Sequence, residues 1–200
     1  METHGRAPSW RAVCVLLALA VLVGGAAVIY ALWDTDSLAS GALDAVAATF
    51  GEFSTVDLDG NTVTNEIFKG HKITLVNVWA TFCGPCIKEM PELEEISHER
   101  DSADVLIIGI CGDLLDPSGN INDGLLAKAR DIADNSTGVT YTCLAPSAEL
   151  KVGILSDVFS YPTTFIVDED GSVLDKTVGA RDKAGWLELI DKYTAEESAK

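Results

Sequence analysis

Basic charge is scarce in this chain. Fourteen Lys and Arg stand against 31 Asp and Glu, a formal net charge of −17. That balance excludes the electrostatic footprint of a nucleic-acid binder, and an anionic lipid surface would repel it. Histidine is scarcer still, with three residues: His4, His71 and His98. None lies in a pattern that points to catalysis. A second Cys-x-x-Cys is missing, so a zinc ribbon is excluded, and neither a metal nor a cofactor is expected. Internal repeats are absent. Charge of either sign is missing from Ala12 to Trp33, 22 residues in all.

That uncharged run is the first positive feature. As a helix it would reach about 33 Å, and a bilayer core is about 30 Å thick. Arg6 and Arg11 precede it, and Asp34 and Asp36 follow it. This asymmetry keeps residues 1–11 in the cytoplasm and sends the remainder outside, as a single-pass signal-anchor with Tyr30 and Trp33 at the outer interface. The alternative is a cleaved signal peptide, whose apolar region is normally roughly 7–15 residues. Cys14 reads as an apolar residue within the span. Residues 34–49, rich in Ala, Ser and Asp, read as a linker. The exported part keeps Cys83, Cys86, Cys111 and Cys143, in a compartment where disulfides persist.

The folded domain is expected over residues 50–195, with 196–200 fraying. Asp59-Gly60-Asn61 marks a turn between two short strands, an N-terminal β-hairpin. Ile73–Trp79 and Val105–Ile110 are continuous apolar runs of the kind buried on both faces of a sheet. A helix is expected from Cys83 to Arg100, kinked at Pro91. Leu125–Asp134 presents Leu125, Leu126, Ala129 and Ile132 on one helical face. Val139–Leu144 is expected to be a strand and Ser147–Leu155 a short helix. Thr163–Val167 and Ser172–Leu174 form a hairpin, and Asp182–Tyr193 a closing helix. Strands and helices alternate, so the class is α/β, with a mixed central sheet and helices on both faces.

The chemistry sits in Trp79-Ala80-Thr81-Phe82-Cys83-Gly84-Pro85-Cys86. Two thiols three residues apart close a small ring or open into two thiols. A helix N-terminus behind Cys83 stabilises its thiolate, which makes Cys83 the expected nucleophile, exposed at the helix start, and Cys86 the resolving thiol. Glu89 falls on the same side of that helix, one turn on. It is either a proton-handling group or one more surface acid beside Glu92, Glu94 and Glu95. Cys111 and Cys143 end two consecutive strands. They could form a structural disulfide, remain two buried thiols, or act as a second redox pair.

Together these blocks resemble the TlpA/ResA-like thioredoxin-fold family of membrane-anchored extracytoplasmic thiol–disulfide oxidoreductases. The residues that carry the likeness are Phe53 to Val63 with Asp57 and Gly60, Lys69-Gly70-His71-Lys72, Val76 through Cys86 with Glu89 and Pro91, and Tyr161-Pro162-Thr163-Thr164-Phe165. Phe82 departs from the family's usual Trp but keeps an aromatic beside Cys83. The resemblance implies proton handling by Glu89, because Asn77 stands where cytoplasmic thioredoxins bury an Asp and cannot itself take a proton. It implies a cis Pro162 that offers Tyr161's backbone to a substrate strand, and Trp79 packed under the active-site loop. Gly84-Pro85, the dipeptide of reducing thioredoxins, tips the direction towards reduction, with a disulfide-forming oxidant as the alternative. The implied electron donor is a membrane thiol transporter of the CcdA/DsbD type. The implied acceptors are extracytoplasmic disulfides, such as those of apocytochrome c or a methionine sulfoxide reductase. A peroxiredoxin-like peroxidase would need a Pro-x-x-x-Thr-x-x-Cys pattern, which Thr81-Phe82-Cys83 lacks.

Overall fold

A computed structural model describes residues 48–199. The expected transmembrane segment (12–33), Cys14 and all but the end of the linker lie outside the described residues. Among the described residues, no helix is long and apolar enough to cross a membrane.

In chain order the elements are β1 (Ser54–Val56), β2 (Thr62–Thr64), β3 (Ile73–Trp79), α1 (Gly84–Glu99), β4 (Val105–Cys111), α2 (Asp123–Asp131), β5 (Cys143–Leu144), α3 (Ala148–Val152), β6 (Thr163–Val167), β7 (Val173–Val178) and α4 (Lys183–Ser198). The main sheet has the order β5-β4-β3-β6-β7. β3 is parallel to β4, and β4 to β5, while β6 runs antiparallel to both β3 and β7. It is a mixed sheet of the thioredoxin type.

Every residue of β3 is buried, as its unbroken apolar run requires of a strand with structure on both faces. Ile73 and Leu75 pack with Ile107, with Leu93 and Ile96 of α1, and with Trp186 and Ile190 of α4. Val76 and Val78 pack on the opposite face with Phe50, Phe68, Phe165 and Ile110. Truncating any of the fully buried members to Ala would cost about 2–5 kcal/mol. At the C-terminal end of β3 a third cluster gathers Trp79, Cys83, Cys86, Met90, Cys111 and Cys143.

β1 and β2 pair antiparallel around a turn in which Gly60 takes φ 90°. The Asp57 carboxylate fixes this turn by accepting from Asp59 N–H at 2.9 Å and Asn61 N–H at 2.8 Å. Leu58 N–H donates to Cys143 C=O and Ala145 N–H to Val56 C=O, both at 2.9 Å, so this hairpin lies along the β5 edge.

Three details differ from the expectations. The strand expected over 139–144 shrinks to Cys143–Leu144, because Thr140 N–H goes to the Glu94 carboxylate of α1 (2.9 Å) and Val139 N–H to Ala133 C=O (3.0 Å). α2 passes into a π-helical turn, Ile132–Thr137, and ends at Gly138 with φ 66°. α4 continues through Ser198, past the point where fraying was expected, and Tyr193 is buried against the core.

Candidate active site

α1 begins directly after a tight turn at the end of β3. Cys83 is its N-cap, Gly84 and Pro85 are its first two residues, and Cys86 closes the first turn. Proline is tolerated there because the first N–H groups of a helix have no intrahelical partner. Cys83 and Cys86 form a disulfide with a Cα–Cα distance of 5.3 Å. The Cys83 sulfur also accepts from Cys86 N–H at 3.2 Å, which satisfies one of those otherwise unpaired donors. The sequence predicts an exposed Cys83. The structure leaves it only 6% exposed, because it packs among Trp79, Leu58 and Cys111. Cys86 is fully buried.

Glu89 lies one turn beyond Cys86 and is 3% exposed, so it is no surface acid. Asn77 Nδ2, from the middle of β3, donates to Glu89 Oε1 at 2.9 Å and to Thr164 Oγ1 of β6 at 3.0 Å. Arg181 N–H donates to Glu89 Oε2 at 3.2 Å. Burial pushes the Glu89 carboxyl up to about 6, even though the hydrogen bonds from Asn77 and Arg181 favour its charged form. A cleft of about 450 Å³, lined by Gly84, Pro85, Lys88, Glu89, Arg181 and Asp182, brings solvent to the carboxylate from outside. A carboxyl poised near neutrality between a buried sulfur and an open cleft can carry a proton from one to the other.

The Tyr161–Pro162 peptide bond is cis. Tyr161 meets Phe82 edge to face, with ring centroids 6.0 Å apart. Phe82 is 70% exposed beside Cys83. Trp79 is fully buried in the cluster that holds both cysteines. Its indole nitrogen and the Cys143 sulfur share the space above Gly109, where an added Cβ would lie 3.0 Å from the first and 2.8 Å from the second.

Cys111 and Cys143 are both free and buried, so of the three readings the structure takes two separate thiols and corrects the possible disulfide. The reason is register. Cys143 pairs with Gly109 and not with Cys111, whose β3 partner is Trp79. An offset of two residues plus one strand spacing separates the Cα atoms by roughly 8 Å, beyond the reach of about 7 Å that a disulfide allows. Burial pushes the Cys143 thiol up to about 12. Burial, with the Asp113 carboxylate beside it, raises the Cys111 thiol well above the usual range.

Two residues around the site carried no sequence signal. Thr164 lies inside the Tyr161–Phe165 block, but nothing there identifies it as a partner of Asn77. Asp113 is one acid among 31. Only the parallel pairing of β3 and β4 brings it against the loop before Cys83.

A family model described as Redoxin matches residues 45–190. The thioredoxin-like protein YneN of Bacillus subtilis (strain 168) is 34% identical over 143 residues, covering 70% of this chain and 75% of that protein. The thiol:disulfide interchange protein DsbE of Allochromatium vinosum is 36% identical over 146 residues, 72% of each. The thiol-disulfide oxidoreductase ResA of Bacillus thuringiensis subsp. konkukian is 30% identical over 145 residues, 71% of this chain and 75% of that protein. Among solved structures, a thiol:disulfide interchange protein of the thioredoxin family from Chlorobium tepidum TLS superposes with a TM-score of 0.59 at 25% identity, covering 75% of this chain and 98% of that one.

Proposed function

This chain belongs to the Redoxin family and is a thiol–disulfide oxidoreductase of thioredoxin fold, and we propose that it works on a membrane tether outside the cytoplasm, reducing disulfides of other proteins through Cys83 and Cys86. The observation that carries this reading is the Cys83–Cys86 pair at the start of α1 with the buried Glu89 carboxyl one turn behind it.

The cycle starts from the dithiol. The Cys83 thiolate attacks one sulfur of a substrate disulfide, an S–S bond breaks, and the second substrate sulfur leaves as a thiolate that takes a proton. Glu89 accepts the proton of the Cys86 thiol, and Cys86 attacks Cys83 in the mixed disulfide. The Cys83–Cys86 bond forms, the substrate leaves as a dithiol, and two electrons have passed to it. Glu89 returns its proton through the cleft. Tyr161, Pro162 and Phe82 form the wall against which a substrate strand docks, and Trp79 supports the loop from below. Electrons return to the pair from a membrane thiol transporter of the CcdA/DsbD type. The acceptors are extracytoplasmic disulfides of the kind found in apocytochrome c or a methionine sulfoxide reductase. The apolar run 12–33 and its flanking charges support the tether, and Gly84-Pro85 supports the reducing direction.

Trapping tests the reading. Full-length chain carrying Cys86→Ser, expressed in a membrane-bearing host, should accumulate mixed disulfides at Cys83 with extracytoplasmic proteins. Captured proteins confined to the cytoplasm would overturn the location. A reduction potential nearer to disulfide-forming oxidants than to thioredoxin would reverse the direction.

A further inference from the structure

Cys83 hangs from a four-residue turn closed by its own N–H, which donates to Ala80 C=O at 3.0 Å. Phe82 points outward from this turn, whereas Thr81 is 3% exposed. Thr81 is held by Asp113. Thr81 N–H donates to Asp113 Oδ1 at 3.0 Å and to Oδ2 at 3.2 Å, and Thr81 Oγ1 donates to Oδ2 at 2.7 Å. The Cys111 thiol donates to Oδ1 at 3.2 Å. One carboxylate therefore takes every donor that the turn and the end of β4 present to it.

Its placement follows from the sheet. β3 and β4 run parallel with Trp79 opposite Cys111, and Gly112 N–H extends the ladder to Trp79 C=O at 2.8 Å. The two chains leave the sheet side by side, one towards Cys83 and the other towards Asp113. Gly112 also seats Tyr161, since a Cβ there would lie 2.5 Å from the phenolic oxygen.

We propose that Asp113 is a positioning residue for thiol–disulfide exchange: its carboxylate fixes the turn that carries Cys83, and its negative charge opposes thiolate formation there, which makes the pair a stronger reductant. Thr81 and Cys83 are two residues apart, at most about 7 Å of chain, and the carboxylate oxygen lies 3.0 Å from Thr81 N, so the charge stands about one Debye length, roughly 10 Å, from the Cys83 backbone at most. A helix N-terminus draws Cys83 towards the thiolate, and the carboxylate draws it back. The other titratable groups facing this corner are Cys111 from β4, Tyr161 from the segment before β6, and Cys86 from α1. Lys88, Glu89, Glu92, Arg181 and Asp182 line the cleft at the start of α1. Burial keeps both Cys111 and Tyr161 uncharged near neutrality. Asp113 is thus the fixed charge on the β4 side of Cys83. The inference rests on Cys83 being the attacking thiol.

The test compares Asp113→Asn and Thr81→Val in the reduced full-length chain. Cys83 is followed by pH-dependent iodoacetamide alkylation mapped by mass spectrometry, together with the redox equilibrium against glutathione. In Asp113→Asn the Cys83 profile should move to lower pH by about half a unit or more, and the equilibrium should shift severalfold towards the dithiol. Thr81→Val keeps the charge and loses one anchor, so its pH profile should match wild type while insulin reduction slows about tenfold. An unchanged profile and equilibrium in Asp113→Asn overturn the electrostatic role, and a wild-type rate in Thr81→Val overturns the positioning role. If wild-type protein is alkylated first at Cys86, the nucleophile assignment itself falls. If Cys83 is alkylated first and neither variant differs, only the role of Asp113 falls.

Discussion

Asn77 Nδ2 donates to Glu89 Oε1 at 2.9 Å, joining the middle of β3 to the second turn of α1 beneath the disulfide. The same amide also reaches Thr164 of β6, so one side chain ties two strands to the helix that carries Cys86 and, one turn on, Glu89.

Glu89→Gln separates proton handling from packing. Burial raises Glu89 from an ordinary 4.5 to about 6, so the native state binds the extra proton between those values. The stability this contributes is complete below about pH 4.5 and is lost as pH rises through 6, a change of about 2 kcal/mol. The Gln variant has no such loss, so at pH 7 it should be at least as stable as wild type in urea unfolding. Its insulin-reducing activity should fall about tenfold or more, and the step near pH 6 in the wild-type rate profile should vanish. A Gln variant that keeps that step would exclude Glu89 as its source.

Asn77→Asp places an acceptor where Glu89 and Thr164 receive a donor. Asn77 is fully buried, so the new carboxylate has no water to turn to. Unfolding free energy at pH 8 should drop by about 2–5 kcal/mol and partly recover at pH 5, where one of the two acids takes a proton. Equal losses at both pH values would contradict the charge account.

Gly109→Ala tests the crowding of Trp79 against Cys143. The added Cβ would meet the Cys143 sulfur at 2.8 Å and the indole nitrogen at 3.0 Å, and should cost about 1–3 kcal/mol. Removing the sulfur in Gly109→Ala/Cys143→Ala should recover part of that cost, read as a coupling energy in a double-mutant cycle. Strict additivity would show that the two positions do not compete for the same space.

Thiol labelling tests the separation of Cys111 and Cys143. In oxidised protein both should resist iodoacetamide until the domain is unfolded, then react without a reductant, while Cys83 and Cys86 react only after reduction. A peptide carrying a Cys111–Cys143 bond would contradict the register of β5.

Much of the site was legible because its signals are local. A Cys-x-x-Cys after a buried strand needs only helix geometry to put one sulfur on the N-cap and the other a turn inside. The spacing from Cys86 to Glu89 puts a carboxyl on the same side. Other expectations failed where a distant partner intervened. Thr140 lost its strand pairing to Glu94, 46 positions away, and Cys143 was left two residues short of Cys111 by an offset that no local pattern encodes.

By itself the sequence determined the α/β class, the buried strands β3 and β4, and the redox pair at the head of α1, because hydrophobic period, helix capping and cysteine spacing act within a few residues. The tertiary structure decided that Cys83 is covered, that Glu89 is buried against Asn77, that Cys111 and Cys143 stay apart, and that Asp113 grips Thr81. Those outcomes depend on strand register and on desolvation, which arise only when segments far apart in the chain are brought into contact.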